Sequence, residues 1–80
     1  MSTENYHAHL ETKRVRIYEE IKSFEPNYSL LIQKQLLKNT GKMYKRGTIV
    51  NVLTGAKPWS SPIMKAAKDV IAELKKEFQL

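Results

Sequence analysis

The side chains able to do covalent or metal chemistry are few, and they gather near the start of the chain: His7 and His9, in His-Ala-His, with Glu11 close behind. Imidazole is the common general base near neutral pH and a ready metal ligand. Two imidazoles on a polar segment without a hydrophobic period do not make a defined metal site. A base with no positioned nucleophile beside it does not make a catalytic one either. The chain has no cysteine, which removes disulfides, thiolate nucleophiles and sulfur-ligated metals. The expectation is a protein that is not an enzyme and uses no metal, cofactor or small-molecule ligand.

Charge carries more information. The 80 residues hold 14 Lys and Arg against 8 Asp and Glu, a formal net charge of +6. The acids stop at Glu25 and resume at Asp69. Between them lie Lys34, Lys38, Lys42, Lys45, Arg46, Lys57, Lys65 and Lys68, with no carboxylate in residues 26–68. A one-signed block of this kind builds a field that selects a polyanion, and it predicts a surface made to meet phosphates. The glycine-flanked run Gly41 to Thr48 is not a nucleotide-binding loop: five residues separate its glycines, and Thr48 follows Gly47 directly.

The elements that must position these cations read as helices. Residues 1–11 are polar without a clear period, so a flexible or irregular segment is expected there, followed by one domain over 12–80. From Thr12, a plausible cap, Val15, Ile17, Tyr18, Ile21 and Phe24 recur at three- and four-residue steps to Glu25. Pro26 ends that helix, and Asn27 or Ser29 can cap the next. The second helix runs from about Ser29 to Lys38, where Leu30, Leu31, Ile32, Leu36 and Leu37 form a broad apolar face. Gly41 closes it, and Lys42-Met43-Tyr44 reads as a turn. Ile49, Val52 and Leu53 carry a short third helix from about Lys45 to Thr54, stopped by Gly55. Ser61 as cap and Pro62 at the first helical position open a fourth helix through Ile63, Ala67, Val70, Ile71, Leu74 and Phe78.

No apolar run exceeds three residues, as at Leu30-Leu31-Ile32, and Met1 to Leu10 lacks the basic start and apolar stretch of a secretory signal. A cytoplasmic protein with no membrane partner is expected. Trp59, just ahead of the fourth helix, reads as a staple over the end of the core, and Tyr28 as an interior packer or a phosphate donor.

The order helix, turn, short helix, glycine stop, basic linker, capped helix is a helix-turn-helix arrangement. Its third helix would bury Ile49, Val52 and Leu53 and leave Lys45, Arg46, Gly47, Val50 and Asn51 outward. The stretch Met43 to Lys57, with Thr48-Ile49 and Val52-Leu53-Thr54-Gly55-Ala56-Lys57, followed by Ile63-Met64-Lys65-Ala66-Ala67, resembles the lambda-repressor-like (Cro-type) helix-turn-helix family. The likeness covers about residues 29–78. It departs from the family in placing Leu36-Leu37 where a small residue is usual, and in a longer connection at Lys42 to Tyr44.

The resemblance implies an all-α domain of four to five helices. It also implies a sequence-specific regulator of transcription, most simply a repressor occupying an operator, of phage or bacterial type, that reads the major groove of double-stranded DNA with residues 45–54. By position, Arg46, Gly47, Val50 and Asn51 would meet bases: arginine pairs bidentately with guanine, asparagine with adenine, and valine touches a thymine methyl. Lys42, Tyr44, Lys45, Thr48 and Lys57 would meet the phosphate backbone. Leu74, Phe78 and Leu80 either form a homodimer seam or close the protein's own core. The alternative from another class is a basic helical protein-interaction module: a phage or plasmid adaptor, an inhibitor or an antitoxin-like protein.

Overall fold

A computed structural model describes residues 3–78 as four helices: α1 (Thr3–Phe24), α2 (Tyr28–Thr40), α3 (Arg46–Thr54) and α4 (Ser61–Phe78). No strand occurs among the described residues. The β-branched stretch Thr48 to Val52 is helical because Ile49 and Val52, with Leu53 just after them, need one shared buried face, and all three are buried.

Helix α1 starts nine residues ahead of the expected cap. Residues 3–11 continue the helix instead of forming a flexible or irregular segment, and Thr12 is an interior helical residue. The reason is that the inward stripe extends further back than Val15: half-buried Leu10 and Arg14 stand in register with buried Ile17 and Ile21. Val15 lies off that stripe and is 40% exposed.

Pro26 ends α1, and the elbow after it is capped in an unexpected way. Neither Asn27 nor Ser29 caps α2 with its side chain. The Glu25 carboxylate accepts the Asn27 N–H at 3.0 Å, and the Glu25 carbonyl accepts the Tyr28 N–H at 3.1 Å. The buried face of α2 is narrower than its five apolar residues suggest. Ile32 and Leu36 are fully buried and Leu31 half-buried, while Leu30 and Leu37, seven residues apart on one side, remain exposed. Gly41 closes α2 with a left-handed φ of 75° and donates its N–H to the Leu37 carbonyl at 2.9 Å.

The cap of α4 lies one residue earlier than expected. The Ser60 carbonyl accepts the first helical bond, from the Met64 N–H at 2.9 Å, so Pro62 occupies the second helical position, where its missing N–H is still harmless. Ile63, Met64, Ala66, Ala67, Val70 and Ile71 of α4 then join residues of the other three helices in one core. Half-buried Trp59 packs against that core, as the staple reading expects. Helix α4 packs mainly on α2 and α1, whereas α3 sits on α1 and α2 and touches α4 only lightly. No helix among the described residues is long and apolar enough to cross a membrane.

Candidate nucleic-acid interface

Helix α3 is held at both ends by side chains from elsewhere. At its start, the segment Gly41 to Lys45 is not a tight turn. Beyond left-handed Gly41 it reaches an extended Lys45, at φ −72°, ψ 140°, and it runs back alongside α2. Two bonds show that course: Gln33 Nε2 donates to the Tyr44 carbonyl at 2.8 Å, and Arg46 Nε donates to the buried Ser29 hydroxyl at 3.2 Å. The α3 N-terminus therefore lies against the first turn of α2. The longer connection makes this possible, since a two- or three-residue turn could not return the chain along a 13-residue helix.

At its other end, Arg14 of α1 caps α3. Its Nη1 donates to the Leu53 carbonyl, one of the last carbonyls that no helical N–H reaches. A cation there also complements the negative end of the helix dipole. Glu11, one turn back on α1, orients the guanidinium through both of its carboxylate oxygens. That hydrogen bonding holds the Glu11 carboxyl below its ordinary pKa and raises that of Arg14. Gly55 is tied to the same clamp: its φ is +90°, and a Cβ there would stand 3.0 Å from the Arg14 guanidinium carbon. Beyond it, the Lys57 N–H donates to the Asn51 carbonyl at 3.0 Å and folds the linker back onto α3.

Anchored in this way, α3 turns its small residues outward. Arg46 and Gly47 are exposed, Thr48 and Asn51 half-buried, and nothing lies within 4 Å of where a Gly47 side chain would begin. Val50 is only partly outward, because it also packs against the core. Lys42, Lys45 and Lys57 are exposed around this face. Tyr44 is half-buried with its ring on the core, and Tyr28 is buried edge-on to Tyr18, with ring centroids 6.0 Å apart. Burial pushes the Tyr28 phenol above its ordinary pKa.

The carboxylate-free stretch does not build a single cationic surface. Lys42, Lys45, Arg46 and Lys57 belong to α3 and its flanking segments. Lys34 and Lys38 instead line a groove between α2 and α4 together with Glu25, Glu73 and Glu77, and Lys65 pairs with Asp69 at 3.4 Å. Helical rotation causes this division: acids distant in sequence reach the α2 lysines through the antiparallel packing of α4.

Several residues that matter here were not singled out in the sequence. Arg14 had a readable signal, since it falls three and seven residues before Ile17 and Ile21, in register with the buried stripe. Thr54 is exposed on the outward side of α3, three residues beyond Asn51, with its hydroxyl donating to the Val50 carbonyl at 2.9 Å. Gln33 had no local signal, and Ser29, expected only as a possible cap, gave none of its bond to Arg46, because their partners lie 11 and 17 residues away. His9 is exposed, and the side chain of His7 lies outside the described part of the structure. Among the described residues, no group of three or more His, Cys, Asp or Glu is placed to hold a metal. Leu74 packs against the core, while Leu80 and the Phe78 side chain lie outside the described part. Comparison with protein-family models, with curated proteins and with solved structures finds no match to this chain.

Proposed function

We propose that this chain binds double-stranded DNA, presenting α3 to the major groove as a helix-turn-helix of the lambda-repressor-like kind, and that it regulates transcription by occupying a specific site. The observation that carries this reading is the outward face of α3: small residues, no carboxylate, and four cations on the helix and its flanks, all on a helix pinned at both ends. Small side chains let the backbone approach base edges, and rigid anchoring keeps the readers in register. Arg46 and Asn51 are the principal base readers, with Gly47 and the exposed part of Val50 beside them. Lys42, Lys45, Thr48 and Lys57 fix the register on phosphates, and Tyr44 places the connector.

The test is binding to duplex DNA at several salt concentrations, followed by selection of bound fragments from a random pool. The three lysines neutralise about three phosphates per chain, which gives a log–log salt slope of roughly −2.7. Selection is expected to enrich one motif. Absence of any binding at about 50 mM salt would defeat the reading. It would favour a basic protein-interaction module, a reading supported by exposed Leu30, Leu37 and Met43 along α2 and the connector.

A further inference from the structure

We infer that the groove between α2 and α4 receives an amphipathic helix of a different protein, one whose apolar ridge is edged by acids toward α2 and by bases toward α4. The groove has a volume of about 410 Å³, and its apolar floor is half-buried Leu31 and Leu74 with buried Val70. On the α2 wall stand exposed Lys34 and Lys38, and on the α4 wall exposed Glu73 and Glu77. The ion pairs among the described residues join Arg14 to Glu11, Lys65 to Asp69 and Lys75 to Glu20, so these four charges take part in none. The register of the walls explains why. The Asn39 amide of α2 donates to the Asp69 carboxylate of α4 at 3.0 Å. Counted from that contact along antiparallel helices, Lys38 stands across from Val70, Lys34 from Leu74, Gln35 from Glu73 and Leu31 from Glu77. The charges are staggered, each facing an uncharged residue, and remain open to an occupant.

A concave trough with an apolar floor is filled by a convex ridge, and an amphipathic helix presents one at positions i, i+3 or i+4, and i+7. Leu31 and Lys38 are seven residues apart, about 10 Å along α2, so the groove engages two turns of such a helix. The walls select its flanks. Acids on one side meet Lys34 and Lys38, and bases on the other meet Glu73, Glu77 and, at the elbow end, Glu25. A second copy of this chain does not meet that description. Its exposed large apolar side chains, among the described residues, are Val15, Leu30, Leu37 and Met43. Of these only Leu30 and Leu37 share a helix face, and they lie in a stretch whose charges are all positive, so they would bring cations to the lysine wall. The groove shares no residue with α3 or its flanking segments, so this inference stands or falls separately from DNA binding.

Three helical probe peptides of about fourteen residues test it, each with leucines at every third or fourth position. One carries a glutamate flank and a lysine flank, one glutamates on both flanks, and one lysines on both. In fluorescence titration the unaltered chain is expected to bind the mixed peptide on the order of tenfold tighter than either uniform one, with amide shifts at residues 31–38 and 70–77. That comparison needs no variant to fold. Lys34→Glu with Lys38→Glu makes both walls acidic and should turn the preference to the lysine peptide. Glu73→Lys with Glu77→Lys makes both basic and should turn it to the glutamate peptide. All four positions are exposed, so helical circular dichroism should be unchanged. Absence of binding, a preference indifferent to the wall charges, or shifts clustered elsewhere would each overturn the assignment. So would shifts at the same residues on raising the concentration of the chain alone, which would make a second copy the occupant.

Discussion

Arg46 combines two properties that a base reader needs, exposure and restraint. Its Nε is engaged by Ser29, which limits the arc of the side chain while leaving other N–H groups of the guanidinium for a base edge. Arg46→Ala should weaken binding to a selected site by roughly 1–3 kcal/mol and binding to random duplex by much less. Equal losses on both would make Arg46 a phosphate contact. Tyr28 leads to a prediction of a different kind. Its phenol ionises at higher pH in the folded chain than in the unfolded one, so the stabilisation is complete below the ordinary tyrosine value of 10.0 and declines as pH rises through and beyond it. Denaturant midpoints measured across that range should fall for the natural chain, and the fall should be smaller for Tyr28→Phe.

A nine-residue helix is too short to persist in water without tertiary support, so the state of α3 depends on its anchors. Arg14→Ala leaves the Leu53 carbonyl without the guanidinium and should lower stability by about 1–3 kcal/mol, most of it from the part-buried bond to that carbonyl. The exposed pairing with Glu11 contributes little, so Glu11→Ala should stay near the natural stability. Chemical denaturation of the two variants separates these contributions. Gly47 provides a test with opposed outcomes. It sits in the first turn of α3 with open space around it, so Gly47→Ala should raise stability by roughly 0.5 kcal/mol through reduced freedom of the unfolded chain. If the helix backbone lies against DNA there, the same substitution weakens specific binding. A gain in both stability and affinity would move the contact surface away from the α3 N-terminus.

At the scale of the whole molecule, the net charge of +6 is an average over unlike faces. Beside α3, Lys57 shares a cleft with one carboxylate, Glu11, which Arg14 already engages, whereas the cations of the α2–α4 groove share it with three glutamates. Only the first set should govern salt dependence on random duplex. Lys57→Ala is expected to lower the salt slope by about one, and Lys34→Ala to leave it unchanged. A reduced slope for Lys34→Ala would mean that the DNA path crosses α2, and α3 would lose its place as the reading helix.

Much of this molecule was legible along the chain because helices are local objects. The three- and four-residue steps of Ile49, Val52 and Leu53, the glycine stops at 41 and 55, and the stripe from Ile63 to Ile71 all depend on neighbours within a turn or two. The same spacing named most of the outward residues of α3. What packing alone decided involves partners far apart in sequence: the return of residues 41–45 along α2, the capping of α3 by Arg14, the exposure of Leu30 and Leu37, and the placing of Glu73 and Glu77 in one groove with Lys34 and Lys38. A one-dimensional pattern specifies which side of a helix is apolar. How much of that side its neighbours cover, and which charges they bring to its rim, follows only from the angles and offsets at which the helices meet.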